Sequence, residues 1–305
     1  MAHLDPVLVG VDGSPASSAA IRFAALEAYR LDTDVHLVHV IPNYVPVTPL
    51  KPLVPLDLEE TGRTIISAAK VEAHRILPLD RVRTSLLRGS RVLTLLDASE
   101  HARLVVLGAE QHAVIERVLT GSTVLGVAAG ATCPVVGVPS DWTSHDVHRC
   151  VAAGVKSVQN SHELLRRAFE VAADRGARVL LVHAWELPGE YDDLVTARVD
   201  EDEWSDRAVR VIEGCLTDLR ATYPSVPVEI RVVHGQPARV LQATSEEADL
   251  LLVARRHRGF PFGHLGGTGR ALLRVGHCPV EVVPPAGEPS DTSDLVLEEA
   301  GRFRN

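Results

Sequence analysis

The feature that most constrains this 305-residue sequence is an internal repeat. Short matches between its two halves lie at a nearly constant separation, which is 144 residues for Gly10 with Gly154 and 145 for Cys133 with Cys278. A pattern that recurs at a fixed interval indicates two copies of one structural unit. The length agrees, because a chain of this size exceeds what one hydrophobic core usually supports.

Each half alternates short apolar runs with segments of helical periodicity. In the first half we expect strands near residues 7–11, 35–40, 82–88, 104–108 and 135–138, with helices between them. Ser14 is a suitable N-cap for the first helix, and Pro15 fits its first position. Val- and Leu-rich strands that alternate with helices predict an α/β fold of two tandem, doubly wound, parallel five-stranded sheets with flanking helices.

Breaks in this pattern suggest the domain boundaries. We expect a first domain over residues 1–140, a polar linker over 141–146, a second domain over 147–284 and a flexible tail over 285–305.

Composition excludes several classes of partner. With 31 Lys and Arg against 40 Asp and Glu, the net charge of −9 argues against nucleic acid or an anionic membrane surface. No apolar stretch approaches the roughly 18 residues of a membrane span, and the N-terminus lacks the features of a signal peptide. The four cysteines show no C-x-x-C spacing, so we expect reduced thiols and a cytoplasmic protein.

The stretch 104–123 gives the strongest indication of a ligand site. Its apolar strand runs into Gly108, and after a loop a helix opens at Gly121, Ser122 and Thr123. Glycine lets a backbone approach a ligand closely, and the first N–H groups of a helix have no intrahelical partners. The two hydroxyls can donate to the same anion. This order of residues predicts a phosphate-sized cradle.

These residues resemble the signature of the universal stress protein family, G-x2-G-x9-G-[S/T]. Gly108, Gly121 and Ser122 are in register, and Gln111 replaces the middle glycine. Further matches are VLVGVDGSP, LVHV and CPVVGVP in the first half, and LLVHAW, VVHGQPARVL and CPVEVVP in the second. The resemblance covers nearly the whole chain. It implies a tandem two-domain member with a Rossmann-like fold of the adenine nucleotide alpha hydrolase type.

The resemblance also implies an ATP site in the first domain. Asp12 would contact the adenosine part and Val40 would lie against the adenine. Gly108 would admit the ribose and phosphates, and the phosphates would bind at Gly121, Ser122 and Thr123. Apart from any family, Asp12, Val40 and Gly108 all follow predicted strands, where open α/β sheets bind ligands.

The loop between the glycines carries the main departure from the family pattern. The Gln111 side chain adds volume, but its amide can donate to a phosphate. Glu110 and Glu116 add negative charge, which Mg²⁺ would relieve.

The second half departs further from the family pattern. Lys156 stands in place of Asp12, Ala254 in place of Gly108 and Gly267 in place of Ser122. We therefore expect a degenerate site that is kept for packing or partner contact. The alternative is that the basic run Arg255–Arg258 holds a phosphate by charge alone.

The leading hypothesis is a stress-response regulator that acts by nucleotide-dependent binding rather than turnover, since no nucleophile–base pair can be assembled from the motif residues. ATP is then expected to order the 109–121 loop and change a surface for a protein partner. The alternative is a nucleotide-independent scaffold with both sites degenerate. A third class, an adenylating enzyme, is disfavoured because its S-G-G-x-D-S loop is absent. No clustered Cys or His spacing favours a metal site.

The resemblance finally implies that the last strands of the two domains pair. These strands are Val135–Val138 and Val280–Val283, and they would meet within one chain or between two chains of a homodimer. Such pairing would also cover exposed sheet edges.

Overall fold

The computed structural model describes residues 5–43, 58–110, 123–144, 148–156, 161–186, 201–255 and 265–285. The first half contains strands β1 (Val7–Gly10), β2 (Val35–Ile41), β3 (Val82–Arg88), β4 (Leu104–Ala109) and β5 (Val135–Pro139). Its helices are α1 (Pro15–Arg30), α2 (Leu58–Ala73), α3 (Arg91–Ser99) and α4 (Thr123–Gly130). The predicted order of strands and helices is confirmed.

The second half repeats this order. Its strands are β6 (Cys150–Gly154), β7 (Arg178–Trp185), β8 (Val228–His234), β9 (Leu250–Ala254) and β10 (Val280–Val283). Its helices are α5 (His162–Arg175), α6 (Glu201–Gly214), α7 (Thr217–Thr222), α8 (Pro237–Thr244) and α9 (Gly266–Val275). Short 3-10 helices cover Leu79–Arg81 and Ser245–Glu247. None of the described helices is both long and apolar enough to cross a membrane.

The ten strands form one sheet in the order β3-β2-β1-β4-β5-β10-β9-β6-β7-β8. Strands within each half are parallel, whereas β5 and β10 are antiparallel, with Val136 opposite Glu281. The expected fold class is confirmed, and the two five-stranded sheets are joined edge to edge. The last strands therefore pair within one chain, and this pairing leaves neither strand open to a second chain.

Helices cover both faces of the sheet. On one face α1, α2, α5 and α6 pack on alternate strand residues such as Val9 and Leu37, and on the other α3, α4, α8 and α9 pack on residues such as Leu8 and Val38. The α1 residues expected to face the core are buried: Ala20, Phe23, Ala24 and Ala28.

Local signals at the start of α1 explain its position. The Ser14 hydroxyl accepts a hydrogen bond from the Ser17 N–H at 3.1 Å, as an N-cap does, and Pro15 occupies the first turn. The repeated histidines also act alike. His39 Nδ1 lies 2.7 Å from the carbonyl oxygen of Val11, and His183 Nδ1 lies 2.8 Å from that of Val155. Each ring fastens the end of one strand to its neighbour.

The two halves also contact each other through side chains above the β5–β10 pair. Arg175 of α5 reaches Glu27 of α1 at 2.8 Å, and both side chains are about nine-tenths buried. The guanidinium of Arg175 lies 5.6 Å from the centre of the Phe23 ring. Trp142, from the predicted linker, packs edge-on against the same ring at 5.3 Å. The linker tryptophan therefore covers the apolar edge of this contact.

A buried ion pair distinguishes the second half from the first. Arg167 Nε donates to Glu281 Oε1 at 2.6 Å, and the two side chains are 8% and 2% exposed. Burial alone lowers the pKa of Arg167, but the charge and hydrogen bond of Glu281 more than offset burial, so that this pKa is raised. At the corresponding positions the first half has Phe23 and Val136, which belong to one apolar cluster.

The Arg167–Glu281 ion pair, in place of the apolar residues of the first half, leads to a prediction about stability. Glu281→Gln removes the charge nearest to the buried Arg167 cation and leaves the more distant carboxylate of Glu170, 3.7 Å from Arg167 Nη1. We expect it to lower the free energy of unfolding by about 3 kcal/mol. The double change Arg167→Met with Glu281→Val removes both charges and should lie within about 1–2 kcal/mol of the original chain. Urea denaturation measures both. The control is Glu229→Gln, whose partner Arg178 is partly exposed, with a loss below about 1 kcal/mol. Equal losses for Glu281→Gln and Glu229→Gln would contradict the prediction.

Candidate functional site

A cleft of about 210 Å³ opens at the carboxyl ends of β1, β2 and β4. It brings together four of the seven predicted site residues: Asp12, Val40, Gly108 and Thr123. The other three, Gln111, Gly121 and Ser122, lie outside the described residues. Segments more than 100 residues apart in sequence thus meet at the edge where parallel sheets place their ligands.

Asp12 follows β1 and is exposed at the rim of the cleft. Its Oδ1 accepts the N–H of Ser14 at 3.0 Å, and its own N–H donates to Ser17 Oγ at 3.3 Å. These bonds fix the carboxylate at the start of α1. Oδ2 has no hydrogen-bond partner among the described residues, so it can accept from a bound hydroxyl or amine.

One wall of the cleft is apolar. Val40 is 6% exposed and lies beside Val38, Leu95 and Leu107, which are also buried. A flat group with little charge is the kind of ligand that such a wall accommodates.

Gly108 has a packing role that the sequence did not reveal. A Cβ atom there would lie 2.5 Å from the carbonyl carbon of Ala16 and 2.7 Å from its oxygen. The first turn of α1 therefore packs directly on the end of β4. In the second half Ala254 occupies this place, and α5 begins at His162, three residues later than the repeat of 144 residues would place it.

The N-terminal end of α4 faces the cleft, because Thr123 and Val124 line it. Close packing on α3 holds this helix. A Cβ on Gly126 would lie 2.8 Å from Val92 Cγ2, and one on Gly130 would lie 3.0 Å from the Leu96 side chain. Small residues one turn apart let the two helices approach closely. The first N–H groups of a helix have no intrahelical partners, and this end of α4 lies at the cleft.

Two charged residues lining the cleft were not among the predicted binding residues. Arg91 begins α3 and makes no ion pair with another described residue, so its guanidinium is open to an anion. Glu110 follows β4 and adds the negative charge that the sequence indicated. Arg91 could have been found from its position, since Gly89-Ser90-Arg91 follows β3 as Asp12 follows β1.

Comparison with known proteins identifies the family of the chain. The model of the universal stress protein family matches the chain twice, over residues 3–139 and 149–284. The chain belongs to the universal stress protein family. A universal stress protein of Mycolicibacterium smegmatis is 32% identical over 291 residues, which are 92% of this chain and 97% of that protein. One of Mycobacterium tuberculosis H37Rv is 31% identical over 285 residues, with coverage of 90% and 95%.

A solved structure shows the same fold. The crystal structure of a universal stress protein from Archaeoglobus fulgidus DSM 4304 matches with a TM-score of 0.66 over 93% of this chain and 97% of that chain, at 16% identity. The fold of both halves of this chain is therefore one that a solved structure also has.

The second unit of this universal stress protein does not offer the basic site considered above, at least at Arg255. This side chain is 8% exposed, and its Nη1 donates to the carbonyl oxygens of Ala128 at 3.2 Å and Ala131 at 2.6 Å. The alternative in which the basic run holds a phosphate is therefore not supported at Arg255, because its guanidinium binds the end of α4 in the first half. Arg256 to Arg258 lie outside the described residues, and Lys156 is exposed after β6.

The fit of ATP and Mg²⁺ can be judged from the donors present. Asp12 and Glu110 are the carboxylates that line the described part of the cleft. No group of three His, Cys, Asp or Glu side chains in the described ranges could hold a metal ion by itself. Mg²⁺ usually keeps several waters and binds through one or two carboxylates together with phosphate oxygens, so these residues suit a nucleotide-borne cation.

All four cysteines of this universal stress protein are free thiols. Burial raises the pKa of Cys133 and of Cys150 to about 11, and burial also raises that of Cys278. A thiol with a raised pKa is a poor nucleophile and metal ligand at neutral pH. These side chains fill the core.

The raised pKa values predict slow alkylation. At pH 8 we expect Cys133 and Cys150 in the folded chain to react with iodoacetamide about 100-fold more slowly than in urea, because few of these thiols are ionised. Their rates should rise as the pH approaches 11. Mass spectrometry of timed samples measures each rate, and equal rates in folded and unfolded chains would show that the thiols are not protected.

The contact between Gly108 and Ala16 predicts a steric effect. We expect Gly108→Ala to lower the free energy of unfolding by about 2–3 kcal/mol, because backbone atoms of α1 cannot move aside as a side chain can. Gly214→Ala is the matched control, since a Cβ there meets no atom within 4 Å. It should leave stability unchanged or slightly higher. Thermal unfolding distinguishes the two, and a harmless Gly108→Ala would contradict this packing role.

Proposed function

We propose that this universal stress protein binds ATP in the first-half cleft and acts as a regulator through nucleotide-dependent binding to a protein partner. One observation carries the proposal. Asp12, Val40, Gly108 and Thr123, chosen from the sequence as nucleotide contacts, line one cleft at the carboxyl edge of the sheet.

The cleft supports a division of roles among its residues. The buried wall of Val38, Val40 and Leu107 suits an adenine ring. Asp12 Oδ2 suits a ribose hydroxyl. The N-terminal end of α4 and the Arg91 guanidinium provide donors for phosphate oxygens. Asp12 and Glu110 oppose a triphosphate by charge, so Mg²⁺ is expected to accompany it.

Two of the hydroxyl groups at the cleft have a structural role. Ser14 Oγ accepts the N–H of Ser17, and Ser17 Oγ accepts the N–H of Asp12, so both hydroxyls stabilise the start of α1. His39 Nδ1 is held by the carbonyl oxygen of Val11 at 2.7 Å. Within the described residues these groups form no nucleophile–base pair aimed into the cleft.

A nucleotide-independent scaffold is the second candidate function. The exposed Lys156 in place of Asp12 favours it for the second half. For the first half, Asp12 and Glu110 favour the scaffold if no cation accompanies the nucleotide, because their charges repel phosphate groups.

Calorimetric titration with ATP and Mg²⁺ tests the proposal. We expect one site per chain in the original protein. Asp12→Ala should weaken ATP binding about tenfold or more, since it removes an ionised hydrogen-bond acceptor. Lys156→Ala, at the corresponding place in the second half, should bind as the original does. Asp12→Asn removes the charge but keeps an oxygen that can accept the Ser14 N–H. Comparison with Asp12→Ala therefore shows how much of the effect is due to the charge and how much to the lost hydrogen bond.

The other outcomes are also decisive. Two sites per chain would show that the second half binds nucleotide as well. No heat from the original protein, and no displacement of a fluorescent nucleotide, would reject ATP binding and favour the scaffold.

A further inference from the structure

Arg255 connects the second half of the chain to the helix at the first-half cleft. It follows β9 directly, and its backbone N–H donates to the carbonyl oxygen of Val283 in β10 at 2.8 Å. From this fixed point its buried side chain crosses the β5–β10 junction. Its Nη1 reaches the carbonyl oxygens of Ala128 and Ala131, at the C-terminal end of α4.

This contact acts on groups that the helix itself leaves unsatisfied. The last carbonyl groups of a helix have no intrahelical donors, and the end that carries them is the negative end of the helix dipole. A guanidinium donates hydrogen bonds to these carbonyl groups and places a positive charge at the negative end of the dipole. At the other end of α4, Thr123 and Val124 line the cleft. One helix of eight residues therefore joins a cation of the second half to the proposed phosphate site of the first.

The residue equivalent to Arg255 in the first half cannot make this contact. In the sheet Ala254 lies opposite Val283 as Gly108 lies opposite Val138, so the counterpart of Arg255 is Ala109. Alanine has no side-chain donor and cannot reach the end of α9. At this position the first half therefore gives the second no equivalent cap, although the two units share their fold.

A second contact across the junction also fixes α4. A Cβ on Gly137 would lie 2.5 Å from Leu273 Cδ2 of α9 and 3.3 Å from Val124 Cγ2 of α4. The two helices thus pack over the same glycine. Arg255 holds the C-terminal end of α4 while α9 lies beside its first turn, so α4 is positioned by the second half at both ends.

We propose that Arg255 is a positioning residue for the nucleotide site, through which the second half sets the affinity of the first half for phosphate groups. The inference rests on the proposed function, because it concerns the same cleft. It assigns a regulatory role to the half whose own site residues have changed. Its distinctive consequence is selectivity: loss of Arg255 should affect phosphates bound at α4 and spare the nucleoside, which lies against β1 and β2.

The test compares ATP and adenosine binding by the full chain in Arg255→Met and Arg255→Lys. Methionine keeps an unbranched apolar side chain, although a shorter one, and removes the cation and its donors. We expect ATP to bind about five- to tenfold more weakly to Arg255→Met, and adenosine to bind within about twofold of the original. Lysine restores a cation and a donor, so Arg255→Lys should recover ATP affinity to within about threefold.

Two further measurements separate positioning from lost stability. Leu241→Ala opens a cavity in the second-half core, where Leu241 packs on Gly154, and should change neither affinity. Hydrogen exchange of residues 124–131 without nucleotide should be faster in Arg255→Met than in the original and in Leu241→Ala.

Each result bears on one claim. If the original protein binds neither ATP nor adenosine, the proposed function fails and the inference fails with it. If the original binds ATP and Arg255→Met binds it equally well, the inference alone is overturned. Equal losses of ATP and adenosine in Arg255→Met, or the same ATP loss in Leu241→Ala, would reduce Arg255 to an ordinary packing residue and also overturn it.

Discussion

The antiparallel contact between β5 and β10 is the constraint on which the rest of the structure depends. Each strand would otherwise be an exposed edge of a five-stranded sheet. Once they pair, the apolar faces of both units become continuous, and helices from different halves meet above and below the junction. Glu27 and Arg175 join α1 to α5 on one face. Gly137 receives Leu273 and Val124 on the other. The position of the cleft helix α4 follows from this arrangement.

The buried charges at the junction bear on which partner each edge accepts. Glu281 lies opposite Val136, and its carboxylate is satisfied by Arg167 of its own half. If two second halves of separate chains paired in the same register, Glu281 would face its own copy, and two buried carboxylates would lie together. Such an arrangement is strongly disfavoured. The intrachain pairing avoids it, so an ion pair that contributes little net stability can still contribute specificity.

The sequence predicted features that depend on local chemistry or on the repeat. The Ser14 cap and the buried face of α1 were found because each has a pattern that can be read over a few residues. The pairing of the last strands was implied by the family resemblance, which left open whether the strands meet within one chain or between two. The contact of Arg255 with α4 was not predicted, for the opposite reason. Its partners lie more than 120 residues away in sequence and become neighbours only through the β5–β10 pair. Gly108 shows a further limit of sequence analysis. A glycine is required both where a ligand approaches the backbone and where α1 packs on it, so the sequence alone does not distinguish the two roles.

The two halves have the same residue where the fold requires it and different residues at several positions near the strand ends. His39 and His183 make the same bond to a strand end, because both halves need that bond to hold their sheets together. Asp12 and Lys156, or Ala109 and Arg255, occupy equivalent places with different chemistry. The strand pairing is the same in both halves with either side chain. A duplicated unit that is fixed against its copy is free to change such positions. In this chain one of these differences is Arg255, which follows β9 of the second half and binds the C-terminal end of α4 in the first half.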